Sequence, residues 1–348
     1  MKKRIFSALC VTAMALSLAA CGSSSDASAD NGGSEAEAEE SSNKVIIYSP
    51  LTESMIDSML SKFEEETGIE AECLAMGTGD ALKRIQTEAG SPQADILWSG
   101  TIGTVKDSSE YFADYTCANE DAFYDEYKNT EGNLTRFDTV PSVIMVNTDL
   151  IGDIEINGYE DLLNPELKGK IAFADPAASS SSFEHLVNML YAMGNGNPDD
   201  GWDYVKQFCE QLDGKLLGGS SAVYKGVADG EYTVGLTFEQ GSAQYVGAGA
   251  PVKTVYMEEG VIFRGDGVYI IKDCPNEENA QKFVDWLTSK DVQEYMNNTQ
   301  FRRTIRKDVP AGDAMAPMES INVITDDETY SAEHKTEWLD EFKDIFTS

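Results

Sequence analysis

Short β-branched runs alternate with segments of helical period through most of this chain, and that alternation limits its possible folds more than any other feature. Lys44-Val45-Ile46-Ile47-Tyr48-Ser49 is an apolar run, and it leads into Met55, Ile56, Met59, Leu60 and Phe63 at helical spacing. The same pattern predicts further strands over 69–74, 94–98, 141–147, 170–174, 232–237 and 267–272. It predicts helices over 80–88, 182–193, 202–212 and 276–296. Strands joined through helices pair in parallel, so the expected class is α/β with mostly parallel sheets.

The chain does not begin with that pattern. Lys2, Lys3 and Arg4 precede an apolar run from Ile5 to Leu16, followed by Leu18-Ala19-Ala20-Cys21. The run is shorter than the ~20 residues a membrane-spanning helix needs. Its basic start and the small residues before the cut mark residues 1–20 as an export signal. Leu-Ala-Ala-Cys resembles the bacterial lipoprotein box, which implies cleavage before Cys21 and a lipid on that cysteine. Residues 21–43 are rich in Ser, Gly, Ala, Asp and Glu and read as a polar tether that cannot bury a core. The folded part is therefore expected outside the cytoplasmic membrane, lipid-anchored to it.

Roughly 300 residues follow the tether, more than one core usually organises, and predict two lobes. Lys plus Arg number 26 against 61 Asp plus Glu, a net charge of −35. Such a surface repels nucleic acid and anionic headgroups, so neither is an expected partner. Of six cysteines, Cys10 falls in the leader and Cys21 at the cut. Cys73, Cys117, Cys209 and Cys274 are too widely spaced for a metal motif, although export permits disulfides with three possible pairings. His185 and His334 are the only histidines. His185 lies in a helical pattern and reads as a packed or capping residue. With no Gly-x-Ser-x-Gly elbow and no zinc motif, no catalytic residue, metal or cofactor is expected.

In open α/β sheets ligands sit beyond the carboxyl ends of the strands. The residues there are Ser49 and Thr52; Gly77, Thr78 and Gly79; Ser99, Gly100 and Thr101. After the strand at 170–174 comes Asp175-Pro176, then Ser179, Ser180, Ser181 and Ser182 at the start of a helix. The first amides of a helix lack intrahelical partners and carry partial positive charge, so hydroxyls there suit a phosphate, phosphonate or carboxylate. One serine would suffice for N-capping; four favour a ligand. Ser220 and Ser221 after Gly218-Gly219 form a third hydroxyl-lined helix start. Glu239 ends a strand where it either meets ligand hydroxyls or caps the next helix. Arg264 is either a fork for an anion or the partner of one of the many acids.

Several of these stretches together resemble extracellular solute-binding proteins of bacterial ABC importers, in the branch with ferric-ion, phosphonate and sugar-phosphate binders. They include 63–69 (Phe-Glu-Glu-Glu-Thr-Gly-Ile), 92–98 (Pro-Gln-Ala-Asp-Ile-Leu-Trp), 162–172, the Asp175-Pro176 serine run, 230–237 and 280–287. The resemblance spans about 44–310. It implies a two-lobed periplasmic-binding-protein fold (type II) with two interlobe crossings, placed near 135–141 and 238–240. Lobe one would comprise 44–140 and 240–305, lobe two 141–239 and 306–348. It implies a small anionic solute in the cleft, an ABC permease as partner and a monomeric receptor. Ferric members carry adjacent tyrosines where this chain has Phe238-Glu239, and Tyr224 and Tyr245 read as helix-face residues. In sugar-phosphate members serines at the second-lobe helix start hold the anion and an acid meets the sugar, which Ser179 to Ser182 and Glu239 fit, with Ser142 beside them. Ferric ion and a polyamine are the alternatives, the latter leaning on Glu239, Asp95 and Asp175; an exported hydrolase is the remote one.

Overall fold

A computed structural model describes residues 43–348. The expected leader, Cys21 and the tether up to residue 42 lie outside the described residues. The chain opens with β1 (Lys44–Ser49), α1 (Glu53–Thr67), β2 (Glu70–Ala75), α2 (Thr78–Glu88), β3 (Ile96–Trp98), the single turn α3 (Ile102–Val105) and β4 (Thr135–Thr139). It continues through β5 (Ser142–Asn147), β6 (Ile171–Ala172), α4 (Ser180–Met193), α5 (Trp202–Gln211), α6 (Ser220–Ala228), β7 (Val234–Phe238), α7 (Glu239–Gly247), β8 (Val252–Val255) and β9 (Val261–Ile262). Then come β10 (Gly265–Ile270), α8 (Glu277–Leu287), α9 (Lys290–Thr299), β11 (Val323–Ile324), α10 (Glu328–Glu333) and α11 (Lys335–Thr347). Among the described residues no helix is long and apolar enough to cross a membrane.

Two sheets define two lobes. The first has the order β2-β1-β3-β10-β4, the second β6-β7-β5-β8. Both are mixed rather than mostly parallel. β1 pairs in parallel with β2 and β3, and β6 with β7, as the helical connections require. β10 runs antiparallel to β3 and β4, and β5 antiparallel to β7 and β8. The reason lies in the crossings: β5 follows β4 after only Val140 and Pro141, and β10 follows β9 after Phe263 and Arg264. A strand arriving directly from the other lobe enters at the cleft edge, where the parallel strands end. Register agrees, since Ser142 starts β5 opposite Phe238 at the end of β7, and Gly265 starts β10 opposite Thr139 at the end of β4.

The second crossing is therefore at 263–264 and not at 238–240. α7 follows β7 without leaving the lobe, and β8 hydrogen-bonds to β5, so 240–262 belongs with the second sheet. Sequence order cannot reveal this, because a helix after a strand looks the same whether it stays or leaves. The tail behaves as expected in part: Trp338 and Phe342 of α11 are buried in the second core. α10 also reaches α3 of the first lobe, where Gly103 N–H donates to Glu328 at 3.0 Å.

Each core follows from its helix faces. α1 buries Met55, Ile56, Met59, Leu60 and Phe63, and stops at Gly68, whose left-handed φ of 71° lets its N–H reach Glu64 carbonyl. Phe63 meets Phe283 and Trp286 of α8 edge-on at 5.1 Å, and Phe283 packs on Trp98 at 5.5 Å. Those contacts fix the end of β3 at the cleft edge. In the second lobe Gly235 lets α6 lie close on β7, since a Cβ there would come within 2.6 Å of Val227. The long helix expected over 276–296 is instead two, parted at Thr288, whose hydroxyl donates to Val284 carbonyl at 2.8 Å.

Candidate functional site

The predicted residues fall at strand ends and helix starts of both lobes. On the second lobe, Ser179 caps α4 by accepting from Ser182 N–H at 3.4 Å, and the Ser182 hydroxyl donates to it at 3.2 Å. Ser182 is fully buried, so its role is local. Ser180 is exposed, and half-buried Ser181 lies 3.3 Å from Ser179 Oγ. α6 begins after Gly219 with no side-chain cap, leaving Ser220 half-buried and Ser221 exposed. Ser142 is buried at the start of β5.

On the first lobe, α2 begins after Gly77 with no side-chain cap, and Gly77 and Gly79 are exposed beside half-buried Thr78. A Cβ on Gly100 would stand 3.5 Å from the Thr78 methyl, so the turn after β3 and the start of α2 adjoin. Ser99 holds a left-handed φ of 87°, rare for a serine. Two backbone bonds of 2.9 Å impose it, Ser99 N–H to Gly267 carbonyl and Gly267 N–H to Gly100 carbonyl. Thr101 stands half-buried at the start of α3 and Thr52 exposed at the start of α1. Ser49 is fully buried and donates to Trp98 carbonyl at 2.8 Å, so it ties β1 to β3.

Of the two charged candidates, Glu239 does not cap α7 but is held by an arginine from far along the chain, and Arg264 takes its ion-pair alternative. Glu239 is 1% exposed; its carboxylate accepts two bonds from Arg303 Nε at 3.0 and 3.1 Å, another from Nη2, and one from the Tyr256 hydroxyl. Arg264 pairs with Glu184 at 3.0 Å and with Asp326 of the tail. Its carbonyl also accepts from Thr139 Oγ1 at 2.9 Å and Val140 N–H at 3.2 Å, which binds the two crossings together. Both charges are met by ion pairs within the protein. The sequence reading missed Arg303, Arg302, Asp138 and Asp266, although adjacent arginines in so acidic a chain were a usable signal.

His185 is buried between β5 and β7. Its Nε2 lies 2.7 Å from Thr237 carbonyl and 3.1 Å from Val143 carbonyl, and the Tyr159 hydroxyl lies 3.0 Å from Nδ1. Burial holds it neutral, with its pKa pushed down to about 4. It is the packed residue expected. The four described cysteines are unpaired, and burial raises the Cys209 and Cys274 thiols to about 12. Tyr224 and Tyr245, distant in sequence, bring their rings within 5.9 Å. Among the described residues no group of three His, Cys, Asp or Glu could hold a metal ion. Cavities of about 580 and 800 Å³ flank loop 310–315 and contain none of the predicted ligand residues.

Two mixed sheets joined by two short crossings, with hydroxyl-rich helix starts after the strands of both, define a two-lobed binding protein. A family model for bacterial extracellular solute-binding proteins matches residues 58–322, and the chain belongs to that family. These are extracytoplasmic receptors that hand a small solute to an ABC permease. The iron uptake protein A1 of Synechocystis is 25% identical over 316 residues, covering 86% of this chain and 84% of the relative. The spermidine/putrescine-binding periplasmic protein of Escherichia coli is 24% identical over 159 residues, 45% of each chain. The structure of the periplasmic binding protein AfuA from Actinobacillus pleuropneumoniae with fructose-6-phosphate bound matches with a TM-score of 0.72 at 24% identity, over 87% of this chain and 98% of that one.

Proposed function

We propose that this protein captures a small anionic solute, a sugar phosphate, phosphonate or similar organophosphate, and delivers it to its permease as a monomer tethered by a lipid on Cys21. One observation carries the reading: Ser179 alone caps α4, so the Ser180 and Ser181 hydroxyls stand at an amide-rich helix end beyond what capping needs. The uncapped starts of α2 and α6 supply further amides, with Ser220, Ser221 and Thr78 beside them. Binding residues on both lobes would favour the closed form, as a population shift requires.

A polyamine is the second reading, since Glu184 and Asp326 leave Arg264 outnumbered by carboxylates. Thermal shift decides, because a ligand stabilises by RT ln(1 + [L]/Kd). Fructose 6-phosphate and a phosphonate are expected to raise the melting temperature; a shift with spermidine or Fe³⁺ alone would reject the anion. Changing Ser180 and Ser181 together to Ala should weaken anion binding with the melting temperature of the free protein unchanged.

A further inference from the structure

Three arginines cluster where the lobes meet, and they differ in how closely carboxylates hold them. Arg303 is 3% exposed at its side chain and gives Nε and Nη2 to Glu239, with Nη2 also donating to Ala316 carbonyl at 2.8 Å. Arg264 is held by Glu184 and Asp326. Arg302 uses Nη1 alone, 3.2 Å from Asp138 and 3.5 Å from Asp266. Among the described residues its Nε and Nη2 have no partner, and Nε is buried in that state. A buried donor without an acceptor is uncommon enough to need a reason.

Its location supplies one. Asp266 Oδ2, which faces Arg302 Nη1, also accepts from Ser99 Oγ at 3.0 Å. A bulge between Asp266 and Gly267 redirects the strand at that point. Ser99 and Arg302 thus converge on one oxygen at the carboxyl end of β3, the edge where open sheets bind ligands. The counter-ions are weak ones. Asp266 is shared with Ser99, and Asp138 is fully buried with neither oxygen hydrogen-bonded. Burial, reinforced by Asp266 and opposed by Arg302, pushes the Asp138 carboxyl up to about 7, so near neutral pH it is only partly charged.

We infer that Arg302 is the charge partner of the solute, meeting a phosphoryl or phosphonyl group from the first lobe. This rests on the anionic reading above and deepens it: the second lobe offers hydroxyls and amides, and the first offers the guanidinium. A planar fork with free donors on two nitrogens matches tetrahedral oxyanions, which a lysine ammonium would meet at one point only. A ligand bridging both would draw the lobes together.

The test is calorimetric titration of the wild type, Arg302→Gln and Arg302→Lys with fructose 6-phosphate and with inorganic phosphate, each variant's fold being checked by thermal melting. We expect Arg302→Gln to weaken binding by about ten- to a hundredfold, the range for charge-assisted hydrogen bonds, and Arg302→Lys to fall between. If the wild type binds and Arg302→Gln binds equally, the inference fails while the anionic reading stands. If the wild type takes up neither probe, the anionic reading fails and takes this one with it. Should Arg302→Gln not fold, undiminished affinity in Arg302→Lys would overturn the fork.

Discussion

The cleft edges of the two lobes are built from the same residue types but hold their charges differently. On the second lobe two buried titratable groups are tied off: Glu239 by Arg303 and Tyr256, and His185 neutral between two strand carbonyls. What remains there is hydroxyls and helix-end amides. On the first lobe Asp138 and Asp266 share Arg302 through contacts of 3.2 and 3.5 Å, and neither Asp138 carboxylate oxygen is hydrogen-bonded. One edge is an arrangement of neutral dipoles; the other keeps an incompletely compensated charge. Fixed dipoles suit orientation, and an underused guanidinium suits attraction to a charged ligand.

Breaking the tied edge should have the largest effect. Arg303→Ala leaves Glu239 buried without its partner and should cost about 3–5 kcal/mol in urea unfolding; a loss under about 1 kcal/mol would mean that the pair does not hold the lobes. Loosening the other edge should go the opposite way. The folded pKa of Asp138 is raised from 3.8 to about 7, so its stabilising contribution is complete below 3.8 and lost as pH rises towards 7. Asp138→Asn should match the wild type near pH 4 and be more stable by up to about 4 kcal/mol at pH 8. Equal melting curves across that range would show Asp138 fully compensated.

His185 gives the mirror image. Its folded pKa falls from 6.5 to about 4, so its contribution is present above 6.5 and lost as pH drops towards 4. The wild type should lose about 2 kcal/mol relative to His185→Gln between pH 7 and pH 5. Parallel pH profiles for the two proteins would contradict a buried neutral ring. The smallest effect sharpens the helix start: Ser179→Ala should cost about 1 kcal/mol of stability and Ser180→Ala close to none, since only Ser179 caps. Equal costs would move the cap elsewhere.

What could be read beforehand follows the range of each signal. β1 is found at its full length because a β-branched run reports itself locally. β9 and β11 are two residues each, too short for any period, and β8 shows only when β5 is beside it. The serine run was legible as a helix start, because capping is decided within four residues. The partners of Glu239 and Arg264 were not, because Arg303 lies 64 residues and Asp326 62 residues further along. In sequence Glu239 reads as a ligand contact or helix cap and Arg264 as an anion fork or ion-pair partner, and only proximity in space decides either.

The sequence by itself determined the α/β class, the family, most strand ends and the hydroxyl-rich helix starts, all of which depend on spacing within a dozen residues. Only the tertiary structure decided where the second crossing falls, which acids neutralise which arginines, and that Arg302 meets its two carboxylates through Nη1 alone. Those outcomes depend on long-range pairing in a buried junction, where a carboxylate and a guanidinium must find one another or remain uncompensated.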